Sequence, residues 1–225
     1  MVANAYVGPQ VEGYVRRLET DLGKRGFDGG LFMMGSNGGL LSVERTCRQP
    51  VALVESGPIG GCIGAGAYAD ALGLKNVIAF DMGGTTAKCA LVNNGTFSVD
   101  SVYFVGGDIK GVPIKSPVID IVEVGSGGGS IARVDDKGQL HVGPESAGST
   151  PGPVCYGRGG SEPTVTDANL ILGRINTHNF LGGELTLDRP AALKAMSGLA
   201  SNLGFGGEAG AVHIADGIIA IATVI

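Results

Sequence analysis

The stretch Phe80-Asp81-Met82-Gly83-Gly84-Thr85-Thr86 lies between two apolar runs, residues 76–81 and 87–92. Short apolar runs of this kind read as buried strands, and two adjacent glycines give the backbone freedom to bend sharply between them. Such a bend brings a strand-end carboxylate, a Gly-Gly turn and two hydroxyls into one short loop. Asp81 can hold a metal ion there, directly or through its waters. Successive N–H groups at Gly83 and Gly84 can turn inward as an anion nest. Thr85 and Thr86 can then bond phosphate oxygens or a water. An ordinary hairpin would use the same glycines, but the flanking buried strands favour phosphate binding. No Gly-Lys-Ser/Thr occurs in the chain, so this turn is not a P-loop.

Strands and helices intermix around that turn, which predicts an α/β or α+β chain with a strand-rich middle and a helical end. Val11, Tyr14, Val15, Leu18 and Leu22 recur at helical spacing, and Gly26 closes a helix over residues 10–25. Residues 30–35 and 51–54 read as short strands, the first entering a turn at 36–39. Ser56 is the expected N-cap, with Pro58 in the first turn, of a Gly/Ala-rich helix reaching about residue 72. Asn94-Gly95 predicts a tight hairpin into a strand over 96–105. A strand is expected over 118–124, and a hairpin pairs 131–134 with 139–142. Residues 146–163 form a Gly/Pro/Ser-rich loop too long for a plain connection. Helices follow at 167–174, 190–203 and from 208 to the end, with Asp167 as the N-cap of the first.

Composition removes several function classes. The chain has 41 glycines in 225 residues without a Gly-X-Y period, which excludes collagen. Lys and Arg are scattered and the net charge is −5, which argues against a nucleic-acid or anionic-membrane surface. Cys47, Cys62, Cys89 and Cys155 lie far apart, so neither a zinc ribbon nor a disulfide scaffold is expected, and buried reduced thiols are. No signal peptide or membrane-spanning run is present, which predicts a soluble cytoplasmic protein. His141, His178 and His213 are too dispersed for a metal site, and HExxH and GxSxG are absent.

Three other Gly-rich stretches are candidates. In the helix after Ser56 the order GxxGxG from Gly61 is wrong for a dinucleotide fingerprint, and Gly60, Gly64 and Ala67 suit close helix–sheet packing. Gly125-Ser126-Gly127-Gly128-Gly129-Ser130 caps a strand bearing Asp120 and Glu123, and it lets backbone approach a ligand. The long loop holds Arg158, whose guanidinium suits a carboxylate or phosphate clamp, and Cys155, either a nucleophile or a small buried residue.

Taken in order, SNGG (36–39), ESGPIGG (55–61), FDMGGTT (80–86), GSGGGSIARVD (125–135), GPESAGSTPGPVCYGRGG (143–160) and PTVTDANLILGR (163–174) resemble the hydantoinase A/5-oxoprolinase family. The resemblance covers nearly the whole chain and is to the central part of such a subunit, incomplete at both ends. It implies an actin/hexokinase-type (ribonuclease-H-like, or ASKHA) ATPase subdomain, with residues 1–75 as the tail of a first lobe and 76–225 as the second-lobe phosphate-loop region. It further implies ATP and Mg²⁺, or another divalent metal, with Asp81 placing the metal. Gly83 and Gly84 would hold phosphates, and Thr85 and Thr86 oxygens or a water. Gly127, Gly128, Gly129 and Ser130 would line the nucleotide or substrate side.

The implied reaction is ATP-dependent hydrolysis of a cyclic amide, a hydantoin or 5-oxoproline, through phosphorylation of a carbonyl oxygen. A hydantoinase B-like second subunit is the implied partner. An ATP-using subunit of a ketone carboxylase and a non-catalytic scaffold of the same fold are the alternatives. Many relatives carry DMGGTSTD, with an acid where this chain has Lys88, and a charged lysine cannot ligate Mg²⁺. With half of the phosphate cradle outside the sequence, the isolated chain is expected to hydrolyse ATP weakly or not at all.

Overall fold

The computed structural model describes residues 1–105 and 111–224, and the chain divides into two units. The first comprises Met1–Asp81 and Lys88–Val122; the second comprises Met82–Ala87 and Glu123–Ile225.

In the first unit, helix α1 (Val2–Lys24) begins well before the apolar spacing predicts and continues through Pro9. Its early turns are held by tertiary contacts: α1 packs on α2 (Val43–Arg48) and on a 3-10 turn, Pro50–Leu53. The Asn4 side chain accepts the Val51 N–H at 3.0 Å. That 3-10 turn replaces the strand expected at 51–54, because Pro50 presets a helical φ at its first position. The hairpin β1 (Phe32–Met34) and β2 (Leu40–Ser42) flanks the turn at 36–39, where Asn37 Oδ1 accepts the Gly39 N–H. Helix α3 (Ser56–Ala71) starts where expected, but its N-cap is Glu55, not Ser56. Glu55 sits at φ +58°, a left-handed conformation uncommon for a residue other than glycine.

The strands β3 (Asn76–Met82) and β4 (Ala87–Asn93) bracket the Gly-Gly turn as predicted. Asn94 and Gly95 both take positive φ and lead into β5 (Thr96–Phe97), paired Val92 to Phe97 and Asn93 to Thr96. This is the backbone twist a two-residue hairpin demands. The strand expected over 96–105 is instead three pieces: β5, β6 (Val99–Asp100) and β7 (Tyr103–Val105). Each piece finds its own partner, β7 pairing β8 (Val112–Ile114) and β6 pairing β9 (Val118–Ile119). The 118–124 run likewise splits into β9 and β10 (Val122–Val124). The core joins Ile59 and Cys62 of α3 to Ala79, Ala90, Val118 and Ile119. Only one face of β3 and β4 is covered this way. Ile78, Phe80 and Leu91 are 68%, 63% and 69% exposed, so these strands are not buried on both faces as their apolar runs suggest.

In the second unit, β11 (Ser130–Val134) and β12 (Leu140–Ser146) form the predicted hairpin. Its turn is closed by Asp135 Oδ1, which accepts the N–H groups of Lys137 and Gln139 at 2.9 and 2.8 Å. Helices α4 (Val165–Ile171), α5 (Arg189–Asn202) and α6 (Gly207–Ala222) pack on one another around Leu170, Met196, Ile214 and Ile218. Asp188 caps α5 through the Ala191 N–H at 2.9 Å. The apolar spacing from 211 onward is helical through Ala222, and Ile225 lies outside the described residues. Among the described residues no single helix is long and apolar enough to cross a membrane.

Candidate functional site

Residues 83–86 form a closed bend in which the Gly83 N–H donates to the Thr86 carbonyl at 2.9 Å. Two carbonyls of this bend are occupied from elsewhere in the second unit. Gly83 O accepts from Gly128 N at 3.0 Å, and Gly84 O from Gly129 N at 2.6 Å and Ser146 Oγ at 3.4 Å. Among the described residues, no protein acceptor takes the N–H of Gly84 or Thr85. Gly83, Gly84 and Thr85 are exposed and Thr86 is half-buried. Two adjacent exposed amides on a braced bend can bind an anionic oxygen without giving up an internal hydrogen bond.

The glycines at 127–129 brace that bend. A Cβ on Gly127 would stand 2.6 Å from the Thr85 carbonyl carbon and 2.7 Å from the Gly84 carbonyl carbon. On Gly129 it would stand 2.8 Å from Gly84 O, and on Gly128 2.8 Å from Thr166 Oγ1. The space a side chain would need is therefore filled by the 83–86 bend and by Thr166. Ser130 is fully buried, and its Oγ accepts the Gly127 N–H at 2.9 Å, so its hydroxyl closes this loop.

Helix α4 supports the loop from behind. Its N-cap is Thr164, not Asp167, which occupies the third helical position in a reciprocal capping box. The fully buried Asp167 carboxylate accepts four hydrogen bonds, from Val154 N, Cys155 N, Thr164 N and Thr164 Oγ1. These tie the long 146–163 loop to α4. Burial, and then the Asp167 charge, push the Cys155 thiol far above its ordinary range. A fully buried thiol held protonated is no nucleophile, so Cys155 takes its packing role. Arg158 lies over the Tyr156 ring, 5.8 Å from its centroid.

Asp81 is the penultimate residue of β3 and is exposed. In the same unit the Cys62 thiol is raised, first by burial and then by the Asp81 charge. Cys62 and Cys155 are buried as expected, whereas Cys47 and Cys89 are partly exposed. Lys88 pairs with Glu55, Nζ to Oε2 at 3.5 Å, and the Tyr103 hydroxyl donates to Glu55 Oε1 at 3.1 Å. Lys88 thus reaches the strained acidic residue at the start of α3. In α3 itself, nothing lies within 4 Å of a Cβ built on Gly60, Gly61 or Gly64, so the close packing expected at Gly60 and Gly64 is not made; Gly66 packs on the Phe97 ring. Among the described residues no three His, Cys, Asp or Glu side chains gather as a metal cage. His141 bonds Asp135 and His213 lies against Phe205.

Sequence reasoning missed Thr164, Thr166 and Ser146. The Thr-x-x-Asp spacing at 164–167 is a legible capping-box signature. Thr166 carries no local signal, because its partner is Gly128, far away in sequence.

The profile of the hydantoinase/oxoprolinase family matches residues 1–224. The chain belongs to this family. It is 43% identical to an uncharacterized protein of Methanocaldococcus jannaschii, over 98% of this chain and 33% of that one. It is 42% identical to the caprolactamase subunit alpha of Pseudomonas jessenii, over 95% of this chain and 30% of that one. The crystal structure of the ATP-dependent caprolactamase from that organism superposes with a TM-score of 0.69 at 39% identity, covering 99% of this chain and 31% of that one. A nucleotide-free acetone carboxylase structure, described under ATP-dependent acetone carboxylation, superposes with a TM-score of 0.73 at 30% identity, covering 94% of this chain and 30% of that one. The chain therefore spans about a third of the length of the relatives it matches.

Proposed function

We propose that this chain supplies a phosphate-binding turn to an ATP-dependent enzyme that hydrolyses a cyclic amide. The observation that carries the reading is the braced bend at 83–86, with the Gly83, Gly84 and Thr86 carbonyls taken by protein and the adjacent N–H groups of Gly84 and Thr85, on exposed residues, without a protein acceptor among the described residues. Gly83 and Gly84 let the backbone approach phosphate oxygens, and Thr85 and Thr86 bond those oxygens or a water. Gly127, Gly128, Gly129 and Ser130 serve the nucleotide by holding this bend in shape.

Mg²⁺ is commonly held by one or two carboxylates together with phosphate oxygens and waters, so a lone exposed Asp81 fits it without a protein cage. When bound, the metal would neutralise charge on the transferring phosphoryl group. In the proposed reaction the amide oxygen takes the terminal phosphoryl group of ATP and ADP leaves. Water then adds to the activated carbon and the ring C–N bond opens, the nitrogen leaving with a proton, to give an acyl phosphate; a second water hydrolyses that to carboxylate and inorganic phosphate.

The actin/hexokinase-type assignment belongs to the same proposal, with residues 1–75 from one lobe and 76–225 carrying the phosphate-loop region. So does a second, hydantoinase B-like subunit, a reading supported by the subunit naming of the caprolactamase relative. The acetone carboxylase likeness supports a second reading, phosphorylation of a ketone enol before carboxylation.

The test is ATP turnover by the enzyme that contains this chain, with a lactam, a hydantoin, 5-oxoproline, or a ketone plus bicarbonate added in turn. Stimulation by a cyclic amide is expected. Stimulation by ketone plus bicarbonate alone would transfer the assignment to the carboxylase reading. Loss of turnover in Asp81→Ala, with assembly intact, would rule out a scaffold role.

A further inference from the structure

We infer that Thr166, at the start of α4, is a positioning residue that sets the shape of the 83–86 bend through a single peptide group. The inference rests on the phosphate-turn reading proposed above. Both the backbone N–H and the Oγ1 of Thr166 donate to the Gly128 carbonyl, each at 2.8 Å. The peptide unit carrying that carbonyl also carries the Gly129 N–H, which donates to Gly84 O at 2.6 Å. A peptide unit is planar and stiff, so fixing its oxygen fixes the direction of its N–H. Two donors on the oxygen also polarise the N–H, strengthening the bond it makes to Gly84. One residue earlier, the Gly128 N–H donates to Gly83 O at 3.0 Å. Thr166 therefore acts on the Gly84 carbonyl through this one peptide group without touching the bend, while the adjoining Gly127–Gly128 peptide holds the Gly83 carbonyl.

The side chain is buried and also shares a hydrogen bond with the Tyr156 hydroxyl. Thr166 is 7% exposed, and a helical Thr hydroxyl usually finds a backbone carbonyl in its own or a neighbouring turn. Here it leaves its own helix for a carbonyl 38 residues away in sequence. Gly128 has no room to move toward it, since a Cβ there would meet Oγ1 at 2.8 Å. The spacing between helix and loop is thus set on one side by the hydroxyl and on the other by the missing side chain.

The test compares three variants of the enzyme that contains this chain with wild type. Thr166→Val removes the hydroxyl at nearly constant shape, Thr166→Ser keeps it, and Gly127→Ala pushes the bend directly. Native-state hydrogen exchange read by NMR follows the Gly129 amide against the Ile218 amide in the core of α6. Losing one buried hydrogen bond should speed Gly129 exchange by roughly five- to tenfold in Thr166→Val, with Ile218 unchanged. Thr166→Ser should return Gly129 to the wild-type rate. MgATP titration should show weaker binding in Thr166→Val and Gly127→Ala, and recovery in Thr166→Ser.

Unaltered Gly129 exchange in Thr166→Val overturns the inference, as does faster exchange with unaltered MgATP affinity. If wild type binds no MgATP, the phosphate-turn reading falls on its own, and the exchange comparison still decides whether Thr166 positions the bend.

Discussion

Replacing Asp167 by Asn should destabilise the second unit far more than a change of one atom suggests. Oδ2 accepts from Val154 N at 3.2 Å, Thr164 N at 2.9 Å and Thr164 Oγ1 at 2.9 Å, while Oδ1 accepts from Cys155 N at 2.8 Å. An asparagine offers one acceptor and two donors. Its best orientation places the oxygen at the three-donor side and turns the NH₂ toward the Cys155 N–H. One bond is then lost between two facing donors, and the remaining three lose the strength a charged acceptor gives. A buried donor without a partner costs about 1–3 kcal/mol, and the weakening of the others adds to it, so about 3 kcal/mol is expected. For a unit of this size that is a fall in Tm of roughly 10–20 °C. Thermal unfolding of Asp167→Asn followed by circular dichroism tests it. A fall below about 4 °C, equivalent to under about 1 kcal/mol, would refute the assignment of Asp167 as the tie between the long loop and α4.

Three further outcomes are expected. A double-mutant cycle on Glu55→Gln and Lys88→Met, read by urea unfolding, should give a coupling of about 1 kcal/mol, since the side chains are 20% and 14% exposed; zero coupling would remove the pair from the account of Lys88. Gly60→Ala and Gly64→Ala should each stabilise the chain by about 0.5–1 kcal/mol, because an added methyl meets nothing within 4 Å in a helix; a loss of stability would show that this face is packed. The Asp135 carboxyl is held below its ordinary range by the Gln139 amide first and then by the His141 bond. Its contribution to stability is therefore fully present above the ordinary Asp range and is lost as pH falls through the depressed value. Asp135→Asn should flatten the acid limb of the stability curve, and an unchanged limb would contradict the assignment.

The Gly-Gly bend, its flanking strands and the Asn94-Gly95 hairpin were legible because each is a short-range pattern with a local physical cause. Thr96 to Phe97 begins the next strand as that turn requires. Beyond Phe97, continuity of apolar residues could not show that three successive segments choose different partners. The 3-10 turn at Pro50–Leu53 was hidden for a related reason, since four residues are too few for periodicity to separate helix from strand. The site was half legible. Asp81 and the residues of the bend announce themselves, and the loop at 127–129 is visible as glycines. What those glycines face was not readable, because a missing side chain looks the same whether backbone or ligand fills the space. Thr166 reads as an ordinary helix-start residue, and only the fold brings it to Gly128.

The bare side of β3 and β4, with Ile78, Phe80 and Leu91 outward, also bears on how the protein behaves as a colloid. Like-charge repulsion is the force that keeps such faces apart between molecules, and the formal charge of −5 at neutral pH is modest. It vanishes near pH 5.2. Solubility should therefore fall steeply on mild acidification, and a single charged residue in place of Leu91 should widen the working range.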